Sequence, residues 1–130
     1  MRLFTGNFGN VKKYEENGYF PISIALTARY FSGLSYKKLA PEWKYMNDTT
    51  ESYTKKFNSG LSKLVVRDVL EDLRKFSGGQ DVVLLCHEKE GDFCHRRLVA
   101  KWITDKTGIK VPELGKLKTV APKPRQYEMF

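Results

Sequence analysis

The chain has no apolar run approaching the roughly 20 residues that a membrane helix needs, so no segment is expected to cross a bilayer. Its start, Met1-Arg2-Leu3-Phe4-Thr5-Gly6, lacks the long apolar region and small-residue cleavage site of a secretory leader. A cytoplasmic protein without membrane partners is expected. Cysteine is scarce: Cys86 and Cys94 are the two in 130 residues. Both fall in one short stretch, unlike the scattered cysteines of a disulfide framework, and two thiols are expected in a reducing compartment. Acid is in short supply too, with 15 Asp and Glu against 23 Lys and Arg, a net charge of +8. That balance favours anionic partners such as nucleotides, nucleic acid or acidic protein surfaces; solubility alone is the competing explanation. No internal repeat and no second domain is visible. With 41% hydrophobic residues, the length suits one domain with a single core.

Periodicity orders the elements. Arg2 to Phe8 reads as a first strand ending in the turn Gly6 to Asn10. A short helix follows over Val11 to Glu16, closed by Asn17-Gly18. Phe20, Ile22, Ile24 and Leu26 recur at period two and predict a second strand over 19–26. Residues 27–48 read as a long loop with one short strand near Tyr36 to Leu39. Thr49 or Thr50 caps a helix carrying Tyr53, Phe57, Leu61 and Leu64 at helical spacing. A further helix spans about Val66 to Phe76 and stops at Ser77-Gly78-Gly79. Asp81 to Cys86 is the clearest strand, since four consecutive branched apolar residues mark burial on both faces. Asp92 to Thr107 is the clearest helix, with Leu98, Val99, Trp102 and Ile103 as its buried stripe and Gly108 at its end. Ile109 to Leu114 is expected to form a last strand, and 115–130 a basic tail. This order predicts one three-layer, Rossmann-like α/β domain over residues 1–114 with a mostly parallel sheet. Strand ends would then converge, bringing the Gly6 to Asn10 turn near Cys86 and Cys94.

The chemistry concentrates between Val82 and Leu98. Two thiols, two imidazoles, a carboxylate and two guanidinium groups gather where a strand ends and a helix begins, the place where open α/β sheets bind ligands. Asp92 is a good N-cap, so Cys94, His95 and Arg96 would lie in the first turn, where free amides favour an anion. Arg96 or Arg97 could complete the clamp. At about 100° per residue, Arg97 shares a face with Phe93 and Lys101 while Arg96 points elsewhere, which favours Arg97 slightly. The same dipole would stabilise a Cys94 thiolate, with His95, His87 or Glu88 moving protons. The plain alternative is a small buried residue at the helix–sheet contact, stronger still for Cys86. His87 follows Cys86 on a strand, so their side chains point to opposite faces. Zinc is disfavoured because adjacent Cys-His residues on a strand do not readily ligate one ion. No metal and no cofactor is expected. Lys37, Lys38, Lys44, Lys55 and Lys56 lie among Tyr30, Phe31, Tyr36, Trp43, Tyr45 and Tyr53. That mixture suits single-strand binding, but an ordinary cover of lysine stems over rings is preferred.

Leu84-Leu85-Cys86-His87-Glu88-Lys89, then Asp92-Phe93-Cys94-His95-Arg96 and Leu98-Val99-Ala100, resembles the family catalogued as domain of unknown function 488. The Ile22-Ser23-Ile24-Ala25 strand, Tyr36-Lys37-Lys38-Leu39-Ala40-Pro41 and the Tyr53 to Leu64 helix agree, and the likeness covers most of residues 1–114. The resemblance implies a compact α/β fold with a pocket at the helix start, but no reaction. It implies Cys86, Glu88, Cys94, His95 and Arg96 as pocket residues, which puts Arg96 ahead of Arg97.

The leading expectation is a site for a phosphate-bearing small molecule, foremost a nucleotide, at the Cys94-His95-Arg96 helix start, serving sensing or sequestration. Arg96, Arg97, Cys86, His87, Phe8 and Asn7 form its expected ligand-binding set. A second expectation is an enzyme acting on a nucleotide or nucleic acid through Cys94 or Glu88, with His95 assisting. A third is a nucleic-acid-binding module using the lysines, aromatics and tail.

Overall fold

The protein is described here by a computed structural model, over residues 1–87 and 95–115. The chain opens with β1 (Leu3–Asn7), a 3-10 turn (Phe8–Asn10), α1 (Val11–Glu16) and β2 (Phe20–Ser23). It continues through β3 (Leu34–Ser35) and two 3-10 turns (Lys37–Leu39 and Trp43–Tyr45) to α2 (Thr50–Ser62) and α3 (Val66–Ser77). β4 (Val82–Cys86) and α4 (His95–Thr107) complete the elements.

β4 carries no polar side chain before its terminal cysteine, and all five of its residues are buried. Such a strand belongs in the middle of a parallel sheet. The sheet order is β1-β4-β2-β3, and every pair is parallel. Alternation sends Val82 and Leu84 into one core with Leu3, Ile22, Phe57, Leu73, Val99 and Ile103. Val83 and Leu85 enter a second core with Phe8, Tyr14 and Ala25. α1 therefore covers one face and α2, α3 and α4 the other, the three-layer α/β arrangement expected.

Local rules set the boundaries. Thr49 caps α2 by accepting from the Ser52 amide at 3.2 Å. α3 ends at Gly78, whose φ of 65° suits a residue without a Cβ. Gly6 permits a close approach: a Cβ there would lie 2.5 Å from the Tyr14 hydroxyl. That hydroxyl donates to the Leu114 carbonyl at 2.9 Å.

Three expected strands are shorter or displaced. Between 19 and 26 the paired stretch is Phe20–Ser23, and the Ser23 Oγ accepts from the Ala25 amide as the chain leaves the sheet. The short strand falls at Leu34–Ser35, while Lys37–Leu39 coils into a 3-10 turn. Ile109 to Leu114 forms a single bridge, Thr5 with Glu113, beside β1. Pro112 has no N–H to extend the ladder, and its carbonyl accepts from the Thr5 amide at 3.0 Å.

Candidate functional site

Parallel pairing aligns Asn7 of β1 with Cys86 of β4 and Ser23 of β2 with Leu85. The strands thus end together, and the turn after β1 arrives beside Cys86 as expected. Cys94 and Glu88 lie outside the described residues, as does the expected Asp92 cap.

Cys86 departs from the expected thiol: it is disulfide-bonded, and no free cysteine occurs among the described residues. A sulfur already in a disulfide is neither thiolate nucleophile nor metal ligand. Among the described residues no group of three or more His, Cys, Asp or Glu is placed to hold a metal.

The two arginines part company. Arg96 is fully buried. Its Nε and Nη2 donate to the two oxygens of Glu113 at 2.9 and 2.8 Å, and its Nη1 donates to the Cys86 sulfur at 3.1 Å. Thr5 Oγ1 adds a 3.0 Å bond to the same carboxylate. The Arg96 bonds, with help from Thr5 and Arg97, hold the Glu113 carboxyl below its ordinary pKa despite partial burial. The fork expected to clamp an external anion is thus filled by an internal one. Arg97 lies 3.8 Å from Glu113 with 48% of its side chain exposed, and Lys101 on the same face is exposed, in line with the helical-face argument.

The imidazoles are also fixed. His95 is buried and donates from Nε2 to the Ile24 carbonyl at 2.6 Å, with its ring against Phe57. Burial pushes its pKa down to about 4, with the Arg96 charge adding to the effect and the Ile24 bond opposing it. It is neutral at pH 7. His87 is exposed, and its Nε2–H donates to the Thr27 carbonyl while its Nδ1 accepts from the Tyr30 hydroxyl at 2.6 Å. Phe8 packs on the His87 ring at 5.0 Å. Phe8 itself is buried, and neither it nor Asn7 lines the cavities described next.

Two adjoining cavities open at this edge. The smaller, about 130 Å³, is bordered by Cys86, His87, His95, Tyr53, Trp43 and Met46, among others. The larger, about 610 Å³, is a groove against α2, bordered by Lys37, Lys38, Lys44, Trp43 and Tyr45, among others. Leu26, Pro41 and Trp43 belong to both. Trp43 is 71% exposed, so lysine stems do not cover it as an ordinary cover would require. Tyr36, Tyr45 and Tyr53 are buried and do fit that cover. Lys37 donates to the Leu26 carbonyl. Lys38 and Lys44 make long, exposed ion pairs with Asp72 at 3.6 Å and Glu42 at 3.3 Å. Such pairs hold little energy and leave the ammonium groups exchangeable.

The sequence-based site therefore missed Glu113, Trp43, Tyr53 and Met46. Trp43 and Tyr53 stood in the lysine-aromatic stretch. Glu113 and Met46 carried no local signal, because each reaches the site only through folding.

A family model described as the active DUF488-N3 subclade, DUF488-N3a, matches residues 21–107. No curated protein and no solved structure matches the chain.

Proposed function

The chain belongs to the DUF488 family, and on that premise we propose that it binds a phosphate-bearing small molecule, foremost a nucleotide, across these two cavities. Membership names no ligand, so support comes from the geometry. A flat ring fits between Trp43 and the His95–Tyr53 wall of the smaller cavity. The phosphate then lies over Lys38 and Lys44 in the groove, not at Arg96, whose charge Glu113 meets. The observation that carries this reading is the shared wall: an exposed Trp43 joins an imidazole-lined cavity to a lysine-lined groove. Aromatic faces and ammonium groups side by side suit a ligand that is flat at one end and anionic at the other.

Calorimetric titration with nucleotides, the matching nucleosides and inorganic phosphate tests it. Nucleotides are expected to bind at least tenfold tighter than either fragment. Trp43→Ala and Lys38→Ala/Lys44→Ala each lower that affinity. No nucleotide binding, or affinity indifferent to both variants, removes the reading.

The word "active" in the family description favours catalysis on the same ligand as a second reading. Glu88, or Cys94 in the reduced protein, would carry it, and turnover of a nucleotide panel under reducing conditions, lost in Cys94→Ser or Glu88→Gln, is its test.

A further inference from the structure

The groove beside Trp43 does not end at Lys44. A further cavity of about 420 Å³ adjoins it, bordered by Glu42, Lys44, Tyr45, Lys56, Gly60 and Lys63, among others. Glu42, Lys44, Tyr45 and Gly60 border both spaces, which therefore form one trough along α2. Its floor comes from the helix. Lys56, Ser59, Gly60 and Lys63 stand at i, i+3, i+4 and i+7 and so share one face, Lys63 ending the helix with its backbone still helical. The small residues in the middle leave room: a Cβ at Gly60 would meet no atom within 4 Å. The two lysines at the ends of this face stand about 10 Å apart along the helix axis.

Charge and rings are unevenly spread along the trough. Lys37, Lys38, Lys44, Lys56 and Lys63 border it, with Glu42 as the bordering carboxylate. Lys56 donates to Asp48 at 2.8 Å in a solvent-exposed pair. An ammonium has three donors, so it can keep that partner and meet an anion as well. Lys63 makes no ion pair among the described residues. Of the bordering rings, Trp43 is exposed, whereas Tyr45 and Phe57 are buried. A single strand of nucleic acid stacks successive bases on successive rings. One exposed ring serves one base, and a row of cations beyond it serves several phosphates.

Resting on the nucleotide reading above, we infer that the ligand is a nucleoside polyphosphate, a triphosphate foremost. Its first phosphate lies over Lys38 and Lys44, and the phosphate chain continues past Lys44 along α2 to Lys56 and Lys63. Each added phosphate brings negative charge to a face that already holds the counter-charge, through hydrogen bonds strengthened by that charge.

The experiment uses the full chain. It is titrated calorimetrically, without divalent cation, with the mono-, di- and triphosphates of adenosine, guanosine, cytidine and uridine, and with a short single-stranded oligonucleotide. For the nucleoside that binds best, the triphosphate is expected to bind at least tenfold tighter than the monophosphate, with the diphosphate between them. Lys56→Gln/Lys63→Gln removes that gain and leaves monophosphate affinity unchanged. Gly60→Leu fills the floor of the trough and also removes the gain. Lys106→Gln/Lys110→Gln, exposed and outside the trough, keeps it. A triphosphate that binds no tighter than a binding monophosphate overturns this inference alone. So does a gain that survives Lys56→Gln/Lys63→Gln, or one that falls equally in Lys106→Gln/Lys110→Gln and so reflects net charge. An oligonucleotide binding tenfold tighter than the triphosphate assigns the trough to a strand and overturns it too. If no mono-, di- or triphosphate binds, the nucleotide reading itself fails and takes this inference with it.

Discussion

Arg96 and Trp43 stand on opposite flanks of the β4 end and show two ways of using a polar or aromatic group. On the Arg96 flank, a guanidinium, a carboxylate, a hydroxyl and a sulfur satisfy one another inside the protein. On the Trp43 flank, an indole is left largely in solvent beside Lys38 and Lys44, whose ion pairs are long and exposed. Charge alone does not mark a binding surface: the best-placed cation is the one least available to a ligand. Groups held by weak internal partners are the ones a ligand can recruit.

Breaking the internal pair should cost most. Glu113→Ala removes the carboxylate that meets the buried Arg96 guanidinium and is expected to lower stability by about 3 kcal/mol. Denaturant unfolding measures this. Arg97→Ala on the same helix should stay within about 0.5 kcal/mol. Equal effects would erase the distinction between the two arginines.

Acid probes the same flank. His95 titrates near 4 when folded and near 6.5 when unfolded. Between those values the unfolded chain binds the extra proton. Stability is therefore full above pH 6.5 and falls by about 3 kcal/mol as pH drops to about 4. Glu113 has the same sign at lower pH: its contribution is present above its ordinary 4.5 and fades as pH falls through its lowered folded value. His95→Gln should flatten the slope of stability against pH above 4.5, measured by denaturant unfolding at each pH followed by circular dichroism. An unchanged slope would mean His95 is not buried neutral.

Gly6→Ala forces a methyl group toward the Tyr14 hydroxyl and is expected to cost about 1–3 kcal/mol in thermal or denaturant unfolding. A neutral result would show that the end of β1, beside β4, can relax.

On the open flank, stability should barely respond. Trp43→Ala is expected to leave unfolding within about 0.5 kcal/mol and yet weaken nucleotide binding about tenfold. A variant that unfolds early would make Trp43 part of the fold instead of part of a site.

Patterns with strong local causes were legible in the sequence. The buried run Val82 to Cys86, the Thr49 cap and the Gly78 stop follow from nearest-neighbour chemistry, and each lies where it was expected. Arg97 facing outward with Lys101 follows from helical geometry. The strand near Tyr36 and the one after Ile109 were misplaced because short edge strands depend on partners that the local sequence does not specify. The disulfide at Cys86 went against an expectation based on compartment, which composition addresses only indirectly.

By itself, the sequence determined the α/β order, the parallel sheet, the family and the strand end where polar chemistry gathers, because periodicity and caps act over a few residues. Tertiary structure alone decided what each polar group there does. Glu113 lies 17 residues from Arg96 along the chain, and Trp43 lies 43 residues before Cys86. A guanidinium becomes an internal brace or a ligand contact according to whether folding delivers a carboxylate to it. Only long-range packing settles that.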